Sequence, residues 1–335
     1  MDLRQQEPPP QTESACSATV RSRVPHKECI GEQSVHARAD AGVMANGCPA
    51  IDAVQDGCCN PAVEFAEISS DRCCYWFCTG SCCGRPFVVD GRERVATTEE
   101  RRDWQKGRAV RSVASTLDAA TRGALADAWA RDALMEHASI ASFARFTLQL
   151  LAVGAPAPFL QAAQRSALDE VNHARACFAL ASRFAGRAIG PGPLPMNHAV
   201  DDITLERAAA SAAVEGCIGE TTAAIVAQAR LREARDLEVR AVLETIVRDE
   251  TAHALLAWRF VTWAISVGGE STRKAVAAAI QSALASHDAC ARPSSNDAAP
   301  LREYGHISAS ETGALAECAR RDILAPAFAA LLRRA

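Results

Sequence analysis

Asp169-Glu170-Val171-Asn172-His173-Ala174 returns eighty residues later as Asp249-Glu250-Thr251-Ala252-His253-Ala254. On a helix, residues three apart share a face. Glu170 with His173, and Glu250 with His253, therefore each present a carboxylate oxygen and an imidazole nitrogen in one direction. The same stripe runs through Ser166 and Cys177 around the first pair and through Ile246 and Ala257 around the second, so neither pair lies on a solvated face. Two glutamates and two histidines buried without partners would be costly, and a pair of divalent cations resolves that cost.

A dinuclear site needs one further carboxylate from each of two other helices. Glu136, in EHASIASFARF, lies thirty-four residues before Glu170, and Glu220, in ETTAAIVAQ, lies thirty before Glu250. Each stands about as far before a helix–helix turn as its partner stands after it, so folding either hairpin brings the pair level. The similar wording of EHASIASFA and ETTAAIVAQ hints at an internal repeat. Glu215 competes with Glu220, but five α-helical residues set the two about 140° apart, so only one points straight inward. Glu220 is preferred, with Gly216 and Gly219 leaving room beside the site. Asp169 and Asp249 each precede a ligand glutamate and are placed to accept the second ring N–H of the histidine on the opposite helix. His137 sits about 100° around from Glu136 and reads as a surface or supporting residue. Cys177 and Cys217 read as small core residues, and His198, His287 and His306 have no partner spacing.

The elements that must carry these residues are helices. From about residue 99 onward Ala, Leu, Glu and Arg dominate, with apolar residues at spacings of three and four. Breakers divide this pattern into helices over about 122–153, 158–186, 203–231 and 237–265, the last closed by Gly268-Gly269. GAPAP and REARD make two short turns, hence two antiparallel hairpins. Between them runs GRAIGPGPLPMNHAVDD, seventeen residues with three prolines. At roughly 3.3 Å per residue this segment reaches about 55 Å, enough to traverse a helix and set the second and third helices parallel. Helices over about 271–288 and from about Ser308 are expected to pack outside the bundle.

The cysteines divide the chain differently. Ten of the 14 precede residue 84. Residues 1–45 are polar and contain Pro8-Pro9-Pro10, so they read as a disordered leader. Residues 46–98 read as a small cysteine-rich module ending in a FVVDGRERV hairpin that turns at Asp90-Gly91. Residues 99–335 are the helical domain, with its metal-binding core at 122–265. The adjacent pairs Cys58-Cys59, Cys73-Cys74 and Cys82-Cys83, with no C-x-x-C anywhere, favour a disulfide framework of undetermined pairing over zinc or redox sites. Disulfides imply an oxidising, extracytoplasmic origin, whereas the N-terminus shows no apolar signal segment and reads as cytoplasmic. With 40 acidic and 36 basic residues the chain has a net charge of -4, which points away from nucleic acid, and no apolar run is long enough to span a bilayer.

Glu136, Glu170-x-x-His173, Glu220 and Glu250-x-x-His253 together resemble the six-ligand pattern of ferritin-like di-iron carboxylate proteins. The chain is also similar to a group of bacterial ferritin-like-domain proteins with a cysteine-rich leader ending in CGRPF-x-V-x-G. The resemblance covers about residues 122–265. It implies an all-α, ferritin-like four-helix bundle with a long crossover and two irons, with manganese the alternative. These would be bridged by Glu170 and Glu250 and end-capped by Glu136, Glu220, His173 and His253. The function it implies is O2 activation by an oxidase or oxygenase acting on an unidentified small molecule or peptide, with electrons from a partner or from leader thiols. Ferroxidase or iron-handling chemistry is one alternative, and a structural metal bundle is another. The absence of tyrosine between residues 76 and 303 argues against a tyrosyl-radical generator.

Overall fold

A computed structural model of the chain describes residues 26–30, 62–69, 72–78, 85–89, 92–105, 117–200, 203–287 and 299–333, the first three stretches by their backbone alone. Contacts divide the chain into one unit of residues 1–80 with 282–291 and another of residues 81–281 with 292–335.

In the first unit, β1 (His26–Ile30), β2 (Ala62–Ser69) and β3 (Arg72–Cys78) form an antiparallel sheet with β3 central. Cys29 lies opposite Cys74, and a bulge interrupts β2 between Val63 and Ala66. β1 thus places part of the 1–45 leader in the same sheet as the cysteine-rich strands. The side chains of the leader and module cysteines, and with them the expected disulfide framework, lie outside the described residues. Among the described side chains Cys177, Cys217 and Cys318 are free thiols.

The second unit is mostly helical. It begins with the short hairpin β4 (Val88–Val89) and β5 (Arg92–Glu93), whose turn at Asp90-Gly91 lies outside the described residues. This hairpin belongs with the helices and not with the cysteine-rich sheet, because Phe87 and Val89 are buried against Ala138 and Ala141 of the first helix. The unit boundary therefore falls near residue 81, upstream of the residue 98 read from composition. The described residues 98–105 are not helical, although the pattern near Glu99 suggested helix. β6 (Thr98–Glu99) pairs instead with β7 (Gly190–Pro191) of the crossover, and the first helix among the described residues follows Asp118, whose carboxylate accepts from the Thr121 amide at 2.9 Å.

Four long helices follow. They are α1 (Ala119–Ala152), α2 (Ala157–Ala185), a third built from α3 (Leu205–Ser211), a π-helical stretch (Ala212–Glu220) and α4 (Thr221–Glu233), and finally α5 (Leu237–His287). α5 is broken at Gly269, where φ is 61°, a conformation that glycine adopts without steric cost. Cross-helix contacts fix the directions. Thr147 meets Gln164 and Glu136 faces His173, so α1 and α2 are antiparallel. Ser142 meets Glu215 and Asp132 meets Arg230, so the third helix also opposes α1. Asp249 meets His173 and Asp236 meets Arg183, so α5 opposes α2, and Thr221 with Trp258 sets it against the third helix. The second and third helices are therefore parallel, and the crossover at 187–204 spans the bundle.

The core is largely alanine, with Leu125, Trp129, Phe178, Phe184 and Leu243 filling one end. Edge-to-face contacts of Phe260 with Phe146 at 5.0 Å and with Phe159 at 5.8 Å fill the other. The C-terminal segments α6 (Ala299–Glu303), α7 (Ala309–Ala319) and α8 (Ala325–Arg333) lie on the outside. Trp129 donates to the Tyr304 carbonyl at 3.2 Å, and Phe328 packs on Trp258 at 4.5 Å. No helix among the described residues is long and apolar enough to cross a membrane.

Gly216 does not leave open room. A Cβ there would collide with the Ala257 Cβ, so the residue lets α5 press against the π stretch. Alanine normally favours a helix over glycine by about 1 kcal/mol. Here Gly216→Ala is expected to act in the opposite sense and lower stability by about 1–3 kcal/mol through overpacking. Chemical denaturation of the variant checks that sign.

Candidate metal centre

All six residues singled out by spacing meet inside the second unit. Glu170, His173, Glu220, Glu250 and His253 are buried to about 1% exposure or less. Donor atoms of Glu136, Glu170, His173 and Glu250 lie within 4.8 Å of one another, as do those of Glu170, Glu220, Glu250 and His253. Glu170 and Glu250 are common to both sets. Each set supplies three carboxylate oxygens and one imidazole nitrogen.

The two α-helical Glu-x-x-His turns face each other from α2 and α5. His173 Nδ1 stands 3.6 Å from Glu136 Oε2 and 3.7 Å from both Glu170 Oε2 and Glu250 Oε1. His253 Nδ1 stands 3.0 Å from Glu170 Oε1. The opposite ring nitrogens are occupied elsewhere. His173 Nε2 approaches Asp249 Oδ2 at 3.1 Å, and His253 Nε2 approaches Asp169 Oδ2 at 3.5 Å, each aspartate reaching the histidine of the other helix. With Nε2–H donated outward, each Nδ1 lone pair faces carboxylate oxygens inward, so acceptor meets acceptor.

That conflict is visible atom by atom. Glu136 Oε2, both oxygens of Glu170, Glu220 and Glu250, and Nδ1 of His173 and His253 are buried with no hydrogen-bond geometry to any partner. Even the 3.0 Å approach of His253 to Glu170 lacks that geometry. Buried acceptors are rarely left this way, and cations or protons must sit among them. Three oxygens and one nitrogen per set, with no thiolate, suit a divalent first-row metal ion.

Without metal, protons do part of this work. Burial pushes Glu220 up to about 8, and lifts Glu136 and Glu250 well above the carboxylate range, with neighbouring carboxylates adding to the rise. Burial alone would raise Glu170 and lower both imidazoles. The close approach of His173 and His253 instead brings Glu170 down, while the aspartates and Glu170 lift His173 and carry His253 to about 10.

Glu215 stands apart from the cluster but also points inward. The 140° separation expected from an α-helix does not apply, because a π-helical stretch bonds i to i+5 and brings residues five apart towards one side. Glu215 is taken instead by Arg145 Nη2 at 2.7 Å and by Ser142 Oγ at 2.8 Å, with Arg85 Nε 3.7 Å away. Arg85, which no helical spacing marks, is fully buried and lies over the rings of Phe143 and Phe146 at 4.6 and 4.7 Å. Its only sequence signal is the CGRPF string. Phe143 in turn meets His253 edge-on at 5.1 Å.

Beside Glu136 and Glu250 lies a cavity of about 30 Å³. Cys177, Leu243 and Ile246 form its apolar wall, and Asp132 and Arg230, hydrogen-bonded to each other at 2.5 Å, form its polar end. Cys177 is thus next to the centre without being among its donors, and burial raises its thiol well above the usual range. His137 packs edge-on against Trp104 at 5.0 Å, away from the donors. His306 meets Trp129 edge-on at 4.7 Å, and burial lowers it to about 3.

Folded metal-free protein holds protons that the unfolded chain releases. For Glu220 this occurs between its ordinary 4.5 and about 8, and for His253 between 6.5 and about 10. Both make stability fall as pH rises, by about 1.4 kcal/mol per pH unit for each extra proton held. The lowered Glu170 and Asp249 act oppositely, but only in the acid range. Urea denaturation of metal-free protein is therefore expected to give lower stability at pH 8.5 than at pH 6. Titration with Zn(II) at pH 7 in weak buffer should release more than one proton per chain.

Comparison with known protein families, with curated proteins and with solved structures finds no match to this chain.

Proposed function

We propose that this chain is a ferritin-like dinuclear metal protein that holds two irons, with manganese the alternative, and reacts with dioxygen. The observation that carries this reading is the convergence of unpartnered buried donors into two four-residue sets sharing Glu170 and Glu250. Two antiparallel hairpins joined by a bundle-spanning crossover support the ferritin-like part of the reading.

Glu170 and Glu250 would bridge, with Glu136 and His173 capping one ion and Glu220 and His253 capping the other. Bound iron at such a centre supplies electrons to O2. The chain's own contribution is geometric and electrostatic. Asp249 and Asp169 fix the tautomer and plane of the two histidines, so that Nδ1 faces inward. Arg85 and Arg145 hold Glu215 away from the donor set. Cys177, Leu243 and Ile246 line the Glu136 side with apolar groups. Asp132 and Arg230 place a charged, hydrogen-bonded pair at the far end of the same cavity.

Oxidation of an organic substrate is the first form of this chemistry, with electrons from a partner or from thiols of the N-terminal unit. Iron handling, with Fe(II) itself the substrate, is the second. The cavity of about 30 Å³ favours the second, since it has room for little more than a water-sized molecule.

The purified full chain is expected to hold two irons, and Glu170→Ala or Glu250→Ala should remove most of that metal by elemental analysis. Full occupancy in both variants would refute the bridging roles. Anaerobic Fe(II) loading followed by O2 separates the two forms of the chemistry. Oxidation of many irons per chain supports iron handling, and oxidation that stops at the two bound irons supports an organic substrate.

A further inference from the structure

The two halves of the centre repeat each other closely, but the residue before each repeat differs. Leu168 precedes Asp169 on α2, whereas Arg248 precedes Asp249 on α5. Leu168 is 61% exposed and offers its aspartate nothing polar. Arg248 places Nε 2.8 Å from Asp249 Oδ1 and Nη2 3.1 Å from Oδ2, a two-point clamp on one carboxylate. The aspartates differ accordingly, Asp249 being 13% exposed and Asp169 38%. So do their bonds to histidine, at 3.1 Å for Asp249 to His173 and 3.5 Å for Asp169 to His253. Both histidines are equally buried, so ring burial does not account for the difference in what holds their outer nitrogens.

We infer that the two metal positions are unequal and that Arg248 sets the difference: the ion capped by Glu136 and His173 is retained, while the ion capped by Glu220 and His253 exchanges. The inference rests on the dinuclear reading above. An imidazole whose outer N–H is held by a clamped carboxylate is already oriented when the ion arrives, and it gives up little further freedom on binding. An imidazole held by a water-exposed, unclamped carboxylate must be ordered by the ion itself. It also rotates away more readily when the ion leaves. Arg248 is a positioning residue, two contacts removed from the metal, and its side chain is 72% exposed. Its replacement therefore leaves the core intact. The retained ion is also the one beside the cavity, because Glu136 lines that cavity and Glu220 does not.

The test uses the full chain loaded with two Co(II) and mixed with excess chromophoric chelator, following release against time. Wild type is expected to release its ions in two phases of equal amplitude, with rates about tenfold apart. Arg248→Leu should speed the slow phase severalfold and change the fast one less, because Arg248 hydrogen-bonds Asp249 and reaches Asp169 only by its charge. Leu168→Arg should slow the fast phase, and Arg248→Lys should fall between wild type and Arg248→Leu. Glu220→Gln assigns the positions: it should delete the fast phase and spare the slow one. A single phase in wild type, an unaltered slow phase in Arg248→Leu, or loss of the slow phase in Glu220→Gln would each overturn the inference while leaving the dinuclear centre standing. Loading that stops short of two ions per chain would overturn the dinuclear reading and the inference together.

Discussion

Four carboxylates and two imidazoles turned towards one another inside a helical unit set the terms for everything around them. Two acceptors facing each other across 3 to 4 Å repel unless positive charge lies between them, and burial removes the water that would otherwise screen them. Protons supply some of that charge in the metal-free protein, which is why burial raises Glu136, Glu220 and Glu250 so far. Cations can satisfy the same donors more completely, because one ion meets three oxygens and a nitrogen at once.

The surrounding architecture follows from the need to hold those groups together. Alanine-rich faces let the four helices approach closely, and Gly216 lets α5 close on the π stretch where a side chain would collide. That stretch turns both Glu215 and Glu220 inward, which would add a further carboxylate to an already acidic interior. Arg85 and Arg145 offset it. Arg85 reaches its place because Phe87 and Val89 bury on α1 and draw the preceding residues with them, so a segment that reads as part of the cysteine-rich module supplies a core cation. Cation–π contacts to Phe143 and Phe146 help offset the desolvation of its guanidinium.

The same geometry bears on chemistry. One side of the centre opens into a small cavity with an apolar wall and an Asp132–Arg230 pair at its end, while the other passes through Asp169 and Asp249 towards solvent. The cavity side is small, and the outer side carries the aspartates that hold the histidines, with Arg248 beside Asp249 where Leu168 stands beside Asp169.

The convergence of the six Glu and His residues, the approach of the two outer aspartates and the hairpin-crossover-hairpin order were all legible in the sequence, because helical spacing maps directly onto a face and breakers map onto turns. Glu136 could be paired with Glu170, and Glu220 with Glu250, from distance to a turn alone. Three things depended on tertiary structure. The π-helical register of residues 212–220 invalidates angles counted at 100° per residue, and no local residue preference signals it. The capture of Arg85 and of the β4–β5 hairpin by α1 depends on burial between segments over fifty residues apart. The pairing of Thr98–Glu99 with the crossover replaces a helix that local composition favours, since backbone groups there find strand partners ninety residues away. Spacing along one helix is a local property and can be read from sequence. Which distant segment satisfies a buried charge or an unpaired backbone group is decided only when the chain is folded.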